Sequence, residues 1–247
     1  MSLGRAIIQA GWDDAPWLSD EVKAEMLAST PPHLREARSK GIPGLGSGAV
    51  YPISVDDIKV DPFEIPAHYR KMYALDVGWN KTAALLAAVD PDTDTIYIVA
   101  EHYMGDARPE IHAAALKSWG EWIPGVIDPA SRGRSQVDGQ KLMQIYKQIG
   151  LRIKDAKNQV EAGLYYTWDR LSCGKIKVFS NLSNFFSEYI IYRRDINGKI
   201  IKEKDHLMDC LRYIVLNINN AQAKPVRGTG PGADNFGESY GIRKYQV

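Results

Sequence analysis

The stretch Lys71 to Thr82, KMYALDVGWNKT, limits what this chain can fold into more than any other. An apolar run, Met72 to Leu75, leads straight into Asp76, and Gly78 follows two residues later. A buried, unpaired aspartate in a central strand costs several kcal/mol. Asp76 therefore calls for a metal, a Lys or Arg, or a run of backbone N–H groups at the end of its strand. The next run, Ala83 to Val89, is apolar again and closes on Asp-Pro-Asp-Thr-Asp, which is turn chemistry. A third strand-like run spans Thr95 to Ala100, so residues 72–100 predict three strands in a meander.

Downstream the rhythm changes. Pro109 suits the first turn of a helix expected to run to about Trp122, with Ile111, Ala115, Leu116 and Trp119 on one face. Pro124-Gly125 breaks it, and Val126-Ile127-Asp128 is a short apolar strand ending in a second aspartate. A helix near Asp138 to Ile149, a strand Leu151 to Asp155, a helix Val160 to Cys173 and a strand Lys175 to Phe179 follow. Strand and helix in alternation imply parallel pairing with helices on both faces. The expected class is α/β with a mixed sheet, a meander joined to parallel strands; an acid on the first strand of such a meander opens an RNase H-like fold. Tyr189 to Arg193 and Lys199 to Ile201 read as strands flanking Asn197-Gly198, a strong hairpin signal. A last helix, Asp205 to Asn220, carries Met208, Leu211, Val215 and Ile218 as its core stripe.

A chain of 247 residues, 45% hydrophobic, supports one main domain. It is expected at residues 49–221, with 222–247, rich in Gly, Pro and Asn, as a flexible tail. Ahead of it, Ala6 to Ile8 is a strand-like scrap, Asp20 to Ala28 and His33 to Ser39 are short helices, and GIPGLGSGAV is a linker or sharp turn. That glycine run is no phosphate loop, because it precedes a β-like Ala49 to Ile53 instead of following a strand and lacks Gly-Lys-Ser/Thr. No apolar run approaches the roughly 20 residues that cross a bilayer, and the N-terminus lacks a signal-peptide layout, so no membrane partner is expected. Cys173 and Cys210 have no metal-type spacing around them and read as buried thiols. The net charge of +1 announces no polyanion, so any DNA contact must come from local patches.

Three acids stand where a catalytic centre needs them: Asp76 and Asp128 at strand ends, and Asp209 on the final helix. Carboxylates on separate rigid elements suit two divalent ions about 4 Å apart, and oxygen-only ligation favours Mg²⁺ or Mn²⁺ over zinc. One ion would polarise a phosphodiester and generate hydroxide while the other steadies the leaving oxygen. On the final helix Asp205, His206 and Asp209 can lean to one edge of that centre. Asp205 is expected to cap the helix, and His206 to contact a ligand or lie beside one. Glu101 is a candidate fourth acid, against the solvated role usual for a strand-end Glu. Residues 132–157 carry seven cations against two acids, among them Arg132, Arg134, Lys154 and Lys157. With Asn158, and with Arg193, Arg194, Lys199 and Lys202 around the hairpin, these are the expected DNA contacts.

YALDVGWNKT, VIDPASRGR, AKNQVEAGL and KDHLMDCLRY, in that order, resemble the C-terminal nuclease domain of the large terminase subunit of tailed bacteriophages. Residues 1–48 then look like a remnant of the segment joining the packaging ATPase to the nuclease. The resemblance implies that Asp76, Asp128 and Asp209 are the three metal-binding acids and that His206 stands beside the third. It further implies a hairpin near the active site that limits DNA access. The implied activity is endonucleolytic cutting of concatemeric double-stranded DNA during genome packaging, in the host cytoplasm. Implied partners are the small terminase subunit, the portal protein of the procapsid and the chain's own N-terminal ATPase domain. Three alternatives stay open. One is another RNase H-like nuclease such as a Holliday-junction resolvase, and one is a catalytically silent DNA-docking module. The third is an actin-like or sugar-kinase-type ATP site using Asp76-x-Gly78 with Thr82, which lacks its expected second motif here.

Overall fold

The computed structural model describes residues 11–29, 39, 48–78, 80–129, 142–195 and 198–225. The predicted Ala6 to Ile8 strand, nearly all of the His33 to Ser39 helix, the start of the Asp138 helix, Arg132, Arg134 and Asn197 fall outside them. A seven-stranded mixed sheet organises the rest. Its strands are β1 (Lys59–Val60), β2 (Arg70–Val77), β3 (Thr82–Val89), β4 (Ile96–Met104), β5 (Gly125–Ile127), β6 (Ile153–Asp155) and β7 (Ile176–Phe179). They lie in the order β1-β7-β4-β3-β2-β5-β6. β2, β3 and β4 form the antiparallel meander, and every other pairing is parallel.

Outside the sheet lie α1 (Asp20–Ser29), α2 (Val55–Ile58), α3 (Pro109–Trp119), α4 (Leu142–Gln148), α5 (Val160–Ser172), α6 (Ser183–Ile191) and α7 (His206–Asn217). The period of two in the strands sorts side chains into two cores. Tyr73, Leu75, Ala84, Leu86 and Ile127 face α3 and α4, where Leu116 and Tyr146 meet them. Met72, Ala74, Ala83, Leu85 and Val126 face the side covered by α5, α6 and α7. β3, TAALLAAV, is buried at every residue because both of its faces are covered. Gly125 pairs with Tyr73, and a Cβ there would overlap the tyrosine ring, so glycine lets β5 lie against β2.

Several expectations need correction. Tyr189 is not in a strand; SNFFSEYII is helix α6, which buries Phe185, Phe186, Glu188 and Tyr189. Its aromatic and β-branched content suggested a strand, but its burial follows a helical period. The hairpin survives as one Arg194–Ile200 bridge. α3 stops at Gly120, and its buried side is His112, Ala113 and Leu116, leaving Ile111 exposed. Ala49 to Ile53 contributes only an Ala49–Arg193 bridge, and the short α2 and β1 were not anticipated. The final helix ends at Asn217 and passes into a 3-10 turn, Ile218–Asn220. Gln222, at the start of the expected tail, bridges Lys71 through two backbone hydrogen bonds, and residues 226–247 of that tail lie outside the described residues. Cys173 is exposed, and only Cys210 is a buried thiol. Among the described residues no helix is long and apolar enough to cross a membrane.

Candidate functional site

Strand parity brings the acids together. Asp76 has the parity of Met72 and Ala74, and Asp128 that of Val126, so both belong to the face that α7 covers. Leu75 and Ile127 are the last residues paired between β2 and β5, and the two aspartates are the next residues along the chain from each. The Asp128 N–H donates to the Leu75 carbonyl at 3.1 Å, which holds the two strand ends in step. α7 packs across β2 and β3 and sets Asp209 over the same place. Burial pushes Asp76 above the usual carboxylate range against the pull of His206, and the charges of Asp209 and Asp128 add to the rise. The buried phenol of Tyr213 is raised by desolvation and then by the same three acids.

Each of these elements is anchored. The N–H of Leu207, in the first turn of α7, donates to Oε2 of buried Glu188 at 2.6 Å. Gly163 of α5 lies against Arg212 and Leu216, and a Cβ there would stand 2.6 Å from Arg212 Cγ, so glycine allows α5 and α7 to close. Arg212, 2% exposed, donates to Asp209 Oδ1 at 2.8 Å and to Asn158 Oδ1 at 2.6 Å. Neither Arg212 nor Glu188 was identified from sequence. An arginine three residues after Asp209 inside an apolar stripe was the signal for the first. The second lay hidden with the unrecognised helix α6.

Positive groups of the chain itself sit on the acids. His206 Nδ1 lies 2.7 Å from Asp76 Oδ2, and this hydrogen bond raises the imidazole above its ordinary range against the effect of burial. Lys202 Nζ lies 2.9 Å from Asp205 Oδ2 and 3.2 Å from Asp209 Oδ2. Asp205 occupies the N-cap position of α7 without a side-chain cap bond; its carboxylate faces Lys202 instead. With the side chains so engaged, no group of three or more His, Cys, Asp or Glu among the described residues stands ready to share one ion. The donor set nevertheless fits a hard divalent cation, being carboxylate oxygens from three rigid elements, and an ammonium already stands where positive charge is wanted.

The other predicted residues scatter. Glu101 is engaged elsewhere; its two oxygens accept from Asn184 N, Asn184 Nδ2 and Phe185 N and so cap α6. Arg194 makes a two-pronged ion pair with Glu161 of α5 at 2.8 and 3.2 Å, which makes it a brace for the hairpin. Arg193 pairs through its backbone with Ala49, and Lys199 lies exposed on the hairpin. The backbone of Lys157 is held by Asn217, next to Asn158 on the acids' side of the sheet. Lys154 instead lines a cleft of about 410 Å³ with Lys147, Arg152 and Gln222, reaching to Gly125 at the opposite end of β5.

Comparison with known proteins places the chain in a family. The family model described as Terminase RNaseH-like domain matches residues 73–218, which hold all three acids. The terminase large subunits of Enterobacteria phage LP7 and Salmonella phage P22 are each 35% identical over 209 residues, 81% of this chain. The chain spans under half the length of these relatives, 44% and 42%. Among solved structures, the nuclease domain of the P22 large terminase superposes with a TM-score of 0.67 at 30% identity, covering 72% of this chain and 96% of that one. The large terminase of a thermophilic bacteriophage, solved in complex with ADP, shares the fold at a TM-score of 0.60 and 22% identity, over 85% of this chain and 54% of that one. A mixed sheet of this order, with acids at adjacent strand ends beneath a helix bearing a third, together with these matches, makes the chain a member of the terminase RNase H-like domain family.

Proposed function

We propose that this chain is a metal-dependent endodeoxyribonuclease, the cutting domain of a DNA-packaging terminase. The observation that carries the proposal is the placement of Asp76, Asp128 and Asp209 by β2, the end of β5 and α7 on one face of the sheet. In this reading the three carboxylates hold two Mg²⁺ or Mn²⁺ ions. Such ions, when bound, activate water and stabilise the charge of a phosphodiester under attack.

The chain's own groups do the positioning. His206 holds the Asp76 carboxylate by one oxygen, and Arg212, braced by Asn158, fixes the orientation of Asp209. Lys157 and the hairpin's Lys199 and Arg193 supply positive charge on the side from which a phosphate backbone reaches the acids. The substrate is double-stranded concatemeric DNA, and the domain works with an N-terminal ATPase, a small terminase subunit and the portal. The relatives support the ATPase, since they are terminase large subunits whose greater length leaves room for a motor.

Plasmid nicking with Mn²⁺, Mg²⁺ or EDTA, beside an Asp128→Asn control, tests the proposal. Cutting that needs metal and disappears in the control supports it. DNA retention without cutting at any metal concentration, in a chain joined to its ATPase, would replace it with a docking role. ATP hydrolysis by this chain alone would return the actin-like alternative.

A further inference from the structure

The two cations that hold Asp209 differ in kind. Arg212 is 2% exposed at its side chain and tied on its far side to Asn158, so it cannot leave without unpacking α5 from α7. Lys202 is 60% exposed, while the side chains of Asp209 and Asp205 beneath it are 15% and 10% exposed. It reaches down from the short segment between the Arg194–Ile200 bridge and α7. An exposed lysine loses rotamer entropy in holding such a geometry, and ion pairs of this sort contribute little net stability. Removing Lys202 therefore costs the fold little. It changes Asp209 a great deal, because Oδ2 is the oxygen that Arg212 leaves open.

We propose that Lys202 is a positioning residue that sets the metal affinity of the site by occupying Asp209 Oδ2 as a tethered counter-ion. The inference rests on the reading of Asp209 as a metal ligand. A divalent ion bound to that oxygen sits about 2.0–2.6 Å from it. An ammonium 3.2 Å from the same atom would then face a dication at close range, so the two occupants exclude one another. Lys202 must swing out before Asp209 can serve, and its exposed stem lets it do so without disturbing the core. The contact also ties metal loading to the hairpin, since Lys202 follows the Ile200 bridge by two residues. Movement of that strand alters how firmly Lys202 is held over the acids.

The test is a Mn²⁺ titration of the protein without DNA, read by the electron paramagnetic resonance of free Mn²⁺ so that catalysis plays no part. Lys202→Gln should bind Mn²⁺ about three- to tenfold more tightly than the native chain, the scale of one exposed ion pair released. Lys202→Arg should stay near the native affinity, and Lys204→Gln, an exposed cation two residues on, should not tighten binding. Asp209→Asn should weaken binding and abolish the gain from Lys202→Gln when the two are combined. Equal tightening by Lys202→Gln and Lys204→Gln would reduce the effect to general charge and overturn the proposal. Unchanged affinity in Lys202→Gln, with Asp209→Asn still weakened, would overturn it while leaving the metal site intact. Native affinity in Asp209→Asn would sink the ligand reading itself. Thermal melts of each variant confirm that the proteins compared are folded.

Discussion

His206 Nδ1 and Asp76 Oδ2 are 2.7 Å apart although 130 residues separate them, and this contact pins the first turn of α7 to the end of β2. The histidine thus takes one oxygen of Asp76, Oδ2. Its role is to aim a carboxylate, as outer-shell histidines and carboxylates do for one another in metal sites. His206→Ala should lower metal-dependent cutting by about 10- to 100-fold. His206→Asn, which keeps a donor near the Nδ1 position, should recover part of it. Initial nicking rates at saturating Mn²⁺ compare the three proteins; equal rates would remove His206 from the site.

Arg212 should matter to stability as much as to chemistry. Arg212→Met leaves Asp209 Oδ1 and Asn158 Oδ1 without their donor in a largely buried place. Breaking one side of a buried pair costs about 3–5 kcal/mol, and the low end applies because Lys202 still faces Asp209. Urea denaturation should show the midpoint fall with the slope unchanged. A loss below about 1 kcal/mol would mean that packing, not the ion pair, holds α7 in place.

Glu101 supplies the contrasting case. Its carboxylate caps α6 with three hydrogen bonds. Glu101→Ala should destabilise the fold by about 1–3 kcal/mol, the cost of leaving such donors unpaired. Mn²⁺ affinity should not change, whereas a weakened affinity would restore Glu101 as a fourth acid at the metal centre.

Away from the acids, His102 of β4 and His112 of α3 are buried together, Nε2 to Nδ1 at 2.8 Å. One ring nitrogen must donate and the other accept, so the pair is complete when both rings are neutral. Burial lowers both pKa values, and the neighbouring charge lowers that of His102 further. The unfolded chain therefore binds protons more readily than the folded one below the ordinary histidine value of about 6.5. Stability should be full above that pH and fall below it, by up to about 1.4 kcal/mol per pH unit for each ring, until the folded pKa values are reached. Melting temperatures between pH 7.5 and 5 should show the decline, and His102→Phe should flatten it. A native slope in that variant would assign the decline to other groups.

Features that depend on near neighbours were legible in the amino-acid order. The Asp76 meander, the strand that ends at Asp128, the hairpin turn and the apolar stripe around Asp209 follow from periods of two and 3.6 and from turn residues. Those periods also settle which face each side chain takes, and so the three acids could be named from the chain alone. The surroundings of the acids, by contrast, come from packing between distant segments. Glu101 and Arg194 looked like site residues, but α6 and α5 lie within reach and claim them as a cap and a brace. Arg212, Glu188 and Lys202 became part of the site because packing on Gly163, the fold of α6 and the return of the hairpin bring them there. Charge pairing between distant segments leaves no local pattern, since a lysine or glutamate reads alike in solvent and in an ion pair. Its partner is known only once the sheet has closed.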